Sequence, residues 1–494
     1  MPNKLNILFT SSEVEPFAKT GGLADVSGSL PKEIRKLSGD IRIFLPHYST
    51  IDSAKYNIED LPNSEFEVQI GSNTIIGKIK LTSLNVNGKQ LPVYFIHNEN
   101  YFDRGGLYVN PLNNFDYEDN FERFIFFSRG VLEATKIIGW HPDIIHTNDW
   151  QTGLIPLYLK TLYDNDSFFA NTKTVFTIHN LAYQGIFEKS EFSKTGLPWD
   201  VFKIDGIEFY DKINLMKAGI IYSDAITTVS KNYAKEICSS VVFGYGLEGV
   251  LAERKSNLFG ILNGVDYSVW SPLNDDFIPQ KYSGRNIGKK LVNKKSLLEK
   301  YGLSFNENIP VIGMISRLAD QKGLDLIEAA SDELLRLDLQ LVFLGAGDEK
   351  YQLFLERLKE RNPEKIGLSI GFSNELAHMI EAGSDMYLMP SRYEPCGLNQ
   401  MYSLKYGTVP IVRATGGLED SIEQYNSEIK SGTGFKFFDY DKNELCKTIR
   451  FALEVFSDKK SWLQIMKNGM KQDFSWKVSA KKYMQLYTSL IPGS

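Results

Sequence analysis

Short runs of consecutive apolar residues recur along the first half of the chain, separated by stretches with helical spacing. The candidate strands are Leu5–Phe9, Ile41–Leu45, Ile144–His146, Thr174–Ile178, Ala225–Val229 and Leu258–Leu262. The stretches between them place apolar residues three or four positions apart, as in 121–138 and 152–162. This alternation is typical of a parallel sheet covered by helices on both faces. The first half is therefore predicted to be a doubly wound α/β domain.

One segment departs from this alternation. Residues 66–70, 75–81 and 91–96 have the pattern of antiparallel strands, and Asn87-Gly88 is a favoured hairpin turn. We expect an insertion at one edge of the sheet.

The pattern dissolves between Tyr267 and Arg285, which is rich in Ser, Pro, Asn and Asp, and then restarts. The strands expected in the second half are Pro310–Ile315, Leu341–Leu344, Gly367–Ile370, Met386–Met389 and Val409–Val412. The fold class is thus α/β, with two doubly wound Rossmann-like domains facing a cleft. The predicted domains are residues 1–263 and 264–475, with a hinge near 263–285 and a last helix, 476–490, that braces the first domain.

Composition narrows the choice of function. A chain of 494 residues is too long for a single core, which agrees with two domains. The net charge of −6, without any basic block, argues against nucleic acid or an anionic membrane as a partner.

Cys238, Cys396 and Cys446 are too far apart for a disulfide framework or a CxxC pair, as expected in a reducing compartment. Residues 1–4 lead directly into a strand and no apolar run is long enough to span a bilayer, so we expect a cytoplasmic protein.

A glycine pair follows an apolar strand and opens a helical stretch at two places, one in each half. The first is Gly21-Gly22, within Lys19–Leu23, and the second is Gly416-Gly417, after Thr415. Bare amides at a helix N-terminus attract anions, and glycine lets a ligand approach the backbone. Two such sites favour a sugar nucleotide held between the halves. The alternative is that each pair only makes a tight turn.

Three charged residues in the second half also follow predicted strands. Glu394 is placed to hydrogen-bond sugar hydroxyls and to stabilise positive charge at an anomeric carbon. Arg317 and Lys322 flank a turn into a helix and suit a diphosphate leaving group. The alternatives are a capping glutamate and two solvated surface cations.

In the first half, His179, Asp149 and Trp150 lie at predicted strand ends. The histidine can donate to a sugar hydroxyl or to the transferring oxygen, and the other two can cradle an acceptor glucan, with the indole stacked on a sugar face. A histidine satisfied by a neighbouring carbonyl is the alternative. The six histidines lack metal-binding spacing, and the Asp-x-Asp sequence at 439–441 is far from both glycine pairs. We therefore expect no metal and no cofactor.

Several motifs in one order make the chain resemble a known family, the bacterial glycogen synthases and plant starch synthases of glycosyltransferase family five. They are Lys19–Leu23, His179–Gly185, Leu262–Asp266, Ser316–Leu318 with Gln321–Gly323, Glu394–Leu398 and Thr415–Leu418. The resemblance extends from about residue 7 to about residue 487. It implies the two-Rossmann GT-B fold and metal-free transfer of glucose from ADP-glucose to the non-reducing end of an α-1,4-glucan, with retention.

The resemblance also implies roles for individual residues. On the donor side, Lys19 contacts the diphosphate, Arg317 and Lys322 neutralise the departing charge, and Phe372 lies against the adenine. Glu394 holds the glucose with the backbone around Cys396 and Gly397, helped by His179 and Asn263. Tyr108 and Asp149 match acceptor-side positions. Asn148 and Asn399 stand where some relatives carry His and Thr, a difference expected to touch acceptor detail only.

Two other functions remain open on sequence grounds. One is a GT-B transferase that uses UDP-glucose or a small acceptor such as a sugar phosphate. The other is a glucan-binding protein that has lost turnover, although Glu394, Arg317, Lys322 and His179 are all present. No second carboxylate has a claim to be a nucleophile, so the resemblance favours front-face attack assisted by the leaving phosphate. The oligomeric state is left open.

Overall fold

The computed structural model of this chain describes residues 5–37 and 39–491. Residues 1–4, on which the expected cytoplasmic location partly depends, lie outside the described residues. Two compact units form: one comprises Met1–Val229, Ala234–Gly264 and Trp476–Ser494, and the other comprises Ser230–Tyr233 and Val265–Ser475. Among the described helices, none is both long enough and apolar enough to cross a membrane.

The first unit contains the predicted alternation of strands and helices. Its strands are β1 Asn6–Thr10, β2 Asp40–Pro46, β3 Glu59–Asp60, β4 Phe66–Ile70, β5 Asn73–Val86, β6 Lys89–His97, β7 Val109–Asn110, β8 Phe115–Asp116, β9 Ile144–Asn148, β10 Lys173–Ile178, β11 Ile186–Glu188, β12 Glu208–Phe209, β13 Lys212–Asn214, β14 Ala225–Thr228 and β15 Leu258–Gly260. Helices up to Glu253 are α1 Gly22–Lys36, α2 Glu99–Phe102, α3 Asn120–Ile137, α4 Leu154–Leu159, α5 Leu215–Tyr222, α6 Lys231–Glu236, α7 Val241–Gly244 and α8 Glu248–Glu253.

The main sheet of this unit has the strand order β15-β14-β10-β9-β1-β2-β6, and all these strands are parallel. From β1 the chain adds β2 and β6 on one side of the sheet and then β9, β10, β14 and β15 on the other. The strand order therefore reverses between β1 and β9. Ligands of doubly wound folds bind at such a reversal, outside the carboxyl ends of the strands. The residues just after β1, β9 and β10 therefore lie where a ligand is expected.

The predicted antiparallel segment is confirmed at the sheet edge. Strand β5 pairs antiparallel with both β4 and β6, and β6 continues the parallel sheet beside β2. Asn87 and Gly88 make the turn with φ of 52° and 79°. Strand β5 is longer than predicted because its pairing with β6 continues through polar residues up to the turn.

The second unit is a parallel sheet with helices between its strands, as predicted. Its strands are β16 Val311–Ile315, β17 Gln340–Gly345, β18 Ile366–Ile370, β19 Met386–Met389, β20 Val409–Arg413 and β21 Phe435–Phe437. Its helices are α9 Lys290–Tyr301, α10 Leu324–Leu334, α11 Glu349–Arg361, α12 Asn374–Gly383, α13 Asn399–Tyr406, α14 Gly416–Ser421, α15 Lys442–Ser457 and α16 Lys459–Met470. The strand order β18-β17-β16-β19-β20-β21 reverses between β16 and β19.

The polar segment 267–285, which follows the first predicted domain, packs against the second unit. Trp270 stacks on His378 and on Tyr402 at ring distances of 3.9 and 4.1 Å. The buried carboxylate of Asp275 accepts hydrogen bonds from His378 Nδ1 and the Tyr406 hydroxyl, at 2.8 and 2.5 Å. Composition alone predicted a hinge near this segment and could not reveal these contacts, because the partners are more than a hundred residues away in the chain.

The last helix, α17 Trp476–Leu490, belongs to the first unit and packs against α1. The Tyr487 hydroxyl lies 2.6 Å from Nδ1 of His146, and Nε2 of that ring lies 2.6 Å from the Thr177 hydroxyl. The imidazole is fully buried, and burial lowers its pKa to about 3.

We expect the protein to lose stability in acid partly through His146. In the unfolded chain a histidine titrates near pH 6.5, whereas His146 stays neutral in the fold down to about pH 3. Its contribution is complete above the unfolded pKa and falls by about 1.4 kcal/mol per pH unit below it. Melting temperatures measured from pH 7.5 to 5 should fall less steeply for His146→Gln than for the wild type. Identical slopes would contradict this assignment.

Candidate active site

A cavity of about 470 Å³ opens at the strand reversal of the second unit, beyond the carboxyl ends of β16 and β19. Five residues that sequence predicted for one site line it: Arg317, Lys322, Phe372, Glu394 and Gly397. They converge because parallel strands end at a common edge. Its size and its mixture of apolar walls and a few charged groups suit a small organic ligand.

Glu394 is the most buried charge in this cavity, with 6% of its surface exposed. Its Oε2 lies 2.6 Å from Lys322 Nζ and accepts a hydrogen bond of 3.1 Å from the Ser391 hydroxyl. Lys322, predicted to suit a diphosphate leaving group, is therefore paired with Glu394. Arg317 also lines the cavity and is an exposed residue.

The second glycine pair packs against the loop that carries Glu394. A Cβ on Gly416 would lie 1.9 Å from the Glu394 carbonyl oxygen, and one on Gly417 would lie 2.0 Å from that of Cys396. The amide of Gly417 donates to the Glu394 carbonyl at 3.0 Å. The expectation of a bare amide is wrong for Gly417, because the adjacent loop is its acceptor. Thr415, Gly416, Gly417 and Cys396 are not among the residues that line the cavity.

Phe372 stands at the rim, 84% exposed, directly after β18 and after Gly371, whose φ is 125°. An aromatic ring held out at a cavity mouth suits stacking on a planar base. Asn399, at the start of α13, also lines the cavity, and its Nδ2 donates to the Ile315 carbonyl at 3.2 Å. The sequence had placed this asparagine with acceptor detail, whereas the structure places it in the same wall as Glu394.

In the first unit, the loop between β1 and α1 contains an internal anion that sequence reasoning missed. The Glu13 carboxylate, 4% exposed, accepts from the amides of Thr20 and Gly21 at 2.5 and 3.1 Å. The expectation of bare amides is therefore wrong for these two as well. At Gly21 and Gly22 a Cβ would meet nothing within 4 Å, so the glycines leave open space beside the loop.

Tyr108 is tied to the same carboxylate. Its hydroxyl lies 2.8 Å from Glu13 Oε1 and 2.7 Å from the Ser12 hydroxyl. A hydrogen-bonded chain thus runs from Tyr108, predicted on the acceptor side, through Glu13 to the glycine loop. The sequence does place Glu13 shortly after the first predicted strand, β1, at the strand reversal. Local pattern could not show that its carboxylate is the acceptor of the loop amides.

Glu13→Gln is expected to lower kcat/KM by about 10- to 100-fold. A neutral amide loses the charge-assisted hydrogen bonds to the loop and turns an N–H towards one of the donors, a cost of about 1.5–3 kcal/mol. Steady-state kinetics with Glu67→Gln, an exposed glutamate on β4, as control would check this. Equal kcat/KM for the two variants would contradict the role of Glu13.

Asp149 and His179 lie next to each other beyond β9 and β10. Asp149 adopts a φ of 55°, and its Oδ1 accepts from the His179 amide at 2.8 Å. Such a backbone conformation is uncommon for a residue other than glycine and is often found at functional sites. Burial raises the pKa of the Asp149 carboxyl to about 7 and lowers the pKa of His179 to about 3.

Trp150 is half-buried, and its indole packs edge-on against Phe124 at 4.9 Å. A Cβ on Gly185 would lie 2.4 Å from the indole, so that glycine is needed for the loop to lie against the ring. These contacts give Trp150 a packing role in addition to the predicted stacking on sugar.

Two further residues predicted for the donor side lie elsewhere. Lys19 pairs with Asp25 at 2.6 Å on the surface. Asn263 is 7% exposed, and its Oδ1 is buried and unpartnered.

Comparisons with known proteins agree with the motifs. The family model described as the starch synthase catalytic domain matches residues 6–253, and that of glycosyl transferases group 1 matches residues 298–472. The glycogen synthase of Koribacter versatilis is 46% identical over 98% of both chains. The glycogen synthase of Geotalea daltonii is 47% identical over 99% of both chains. The catalytic domain of starch synthase IV from Arabidopsis thaliana, bound to ADP and acarbose, is 32% identical with a TM-score of 0.88, covering 99% of this chain and 100% of that one.

Proposed function

This chain belongs to the family of glycogen synthases and starch synthases, and from that premise we propose that it transfers glucose from ADP-glucose to the non-reducing end of an α-1,4-glucan. The observation that carries the proposal is the cavity of the second unit, where Arg317, Lys322, Phe372 and Glu394 meet at the strand reversal. Its combination of an exposed ring, two cations and a buried carboxylate matches the base, diphosphate and sugar of one nucleotide sugar. The related starch synthase IV was solved with ADP and acarbose.

In this proposal the donor lies with its base against Phe372 and its diphosphate beside Arg317 and Lys322. The glucose then lies next to Glu394, whose carboxylate stabilises positive charge as the bond from C1 to the phosphate oxygen breaks. The bonding electrons leave with ADP, and the Lys322 ammonium, 2.6 Å from Glu394, is close enough to be shared with the departing phosphate. The cost of desolvating the Lys322–Glu394 pair is met when the protein folds, so the charges are already in place for the reaction.

Retention follows if the acceptor hydroxyl attacks C1 from the face that the diphosphate leaves. The new C1–O bond then forms on the same side as the old one, and the hydroxyl proton passes to the departing phosphate oxygen. Oε2 of Glu394 accepts hydrogen bonds from the Lys322 ammonium and the Ser391 hydroxyl. In this proposal Glu394 serves as an electrostatic stabiliser. In the first unit, Tyr108 and Asp149 are the proposed contacts of the acceptor glucan.

Since two protein cations are available for the diphosphate, we propose that no divalent metal is needed. Activity measured after treatment with EDTA should equal the untreated rate, because Arg317 and Lys322 supply the positive charge at the leaving group. A loss of activity that added magnesium or another divalent cation restores would contradict this proposal.

The proposed function is tested by initial rates with glycogen and either ADP-glucose or UDP-glucose at equal concentration. We expect glucose incorporation from ADP-glucose and a much lower rate from UDP-glucose. A preference for UDP-glucose, or transfer only to a small sugar phosphate, would favour the alternative GT-B transferases. Glycogen binding without incorporation from either donor would favour a non-catalytic glucan-binding protein.

A further inference from the structure

Asn148, the last residue of β9, is fully buried and has its side-chain orientation fixed by its neighbours. Its Nδ2 donates to the main-chain carbonyl of Thr10 at 3.0 Å. A carbonyl oxygen can only accept a hydrogen bond, so the amide nitrogen must be the atom on that side. The other atom of the amide, Oδ1, lies 2.9 Å from Nε2 of His179.

This orientation determines where the proton of His179 resides. An amide oxygen only accepts, so His179 Nε2 must carry a hydrogen and donate it to Asn148. The ring is partly buried, and desolvation lowers its pKa to about 3, so it is neutral near pH 7. A neutral imidazole has one N–H, so Nδ1 carries a lone pair. No described residue hydrogen-bonds Nδ1, and it is not among the buried polar atoms that lack a partner, so it is open to a ligand.

We infer that Asn148 is a positioning residue that fixes the Nε2–H tautomer of His179, so that His179 offers a hydrogen-bond acceptor to a hydroxyl of the bound sugar. This reverses the role expected from sequence, in which His179 donated to a hydroxyl or to the transferring oxygen. It also assigns a purpose to asparagine at position 148. The Asp149 carboxylate holds the His179 amide at 2.8 Å, which fixes the backbone from which the ring projects.

The inference rests on the proposed function for the identity of the ligand, but the tautomer itself is independent of it. A histidine locked in this state cannot deliver a proton from Nδ1 to the leaving phosphate. It orients the sugar by accepting a hydrogen bond.

Nitrogen NMR of the full-length protein labelled with ¹⁵N-histidine tests the tautomer without any substrate. His179→Gln identifies the signals of this ring. We expect one N–H proton bonded to Nε2, slow to exchange with water, and an unprotonated Nδ1. An N–H proton on Nδ1 would overturn the inference.

The role of Asn148 is tested by Asn148→Ala, with Asn214→Ala, another fully buried asparagine of the first unit, as matched control. We expect the protected Nε2–H signal to disappear in Asn148→Ala and to remain in Asn214→Ala. Turnover of ADP-glucose should fall about 10-fold in Asn148→Ala. A protected Nε2–H signal that persists in Asn148→Ala would show that other groups fix the tautomer and would overturn the inference, whatever the donor specificity.

Discussion

Glu394→Gln is expected to lower kcat by about 10²–10³-fold while the protein remains folded. In the proposed reaction the carboxylate lies where positive charge develops at C1, and such preorganised charges act more strongly on the transition state than on the bound substrate. Glutamine has almost the same shape and can still accept from the Ser391 hydroxyl, so the change removes charge and little else. Lys322, the more exposed of the pair with 18% of its side chain accessible, can turn towards water in this variant.

Kinetics and calorimetric titration with ADP separate the two possible effects of this substitution. We expect the dissociation constant for ADP to change much less than kcat, because the proposed binding mode places the nucleotide against Phe372 and the cations. Glu328→Gln, an exposed glutamate on α10, is the control for general effects of losing a negative charge. Near-normal turnover in Glu394→Gln would rule out its role as stabiliser.

The second large effect is expected for Lys322→Met, in which an apolar side chain of similar length replaces the ammonium. Two losses should appear together. The cation at the leaving group is gone, which should lower kcat/KM about 10²-fold or more. Glu394 is then left buried without its partner, which should destabilise the fold by about 3 kcal/mol.

The double variant Lys322→Met with Glu394→Gln distinguishes these losses. Removing both charges relieves the uncompensated burial, so melting temperature should recover towards that of the wild type. Activity should stay as low as in the worse single variant, since residues that act as a unit are not additive. Recovery of activity with stability would show that the ion pair serves only the fold.

Much of the fold could be predicted because it depends on local pattern. Continuous apolar runs identified the parallel strands, and the positions of Glu394 and Arg317 just after strands were enough to place them at one edge, whereas Phe372 was identified only through the family resemblance. Parallel topology then brings these residues to one cavity although they are far apart in sequence. The hairpin at Asn87-Gly88 was predictable because its turn type requires positive φ.

The hydrogen-bond or ion-pair partner of each polar group could not be predicted from the sequence. The glycine loops were correctly identified as strand–turn–helix connections, but Glu13 and the Glu394 carbonyl are the acceptors of several of their amides. Gly416 and Gly417 are required by close packing against another loop, which a pattern of two glycines does not reveal. The pairing of Lys322 with Glu394 is likewise non-local, since 72 positions separate them.

The fate of a transferred glucose tests the proposed reaction most directly. Glycogen is incubated with the protein and ADP-glucose radiolabelled in the sugar, purified, and digested with β-amylase, which cuts maltose from the non-reducing ends of α-1,4-glucans. If glucose is added there with retention, the label is released as maltose, and Glu394→Gln incorporates almost none in the same time. Label that resists β-amylase, or that appears in a small product instead of glycogen, would contradict α-1,4 transfer to the non-reducing end.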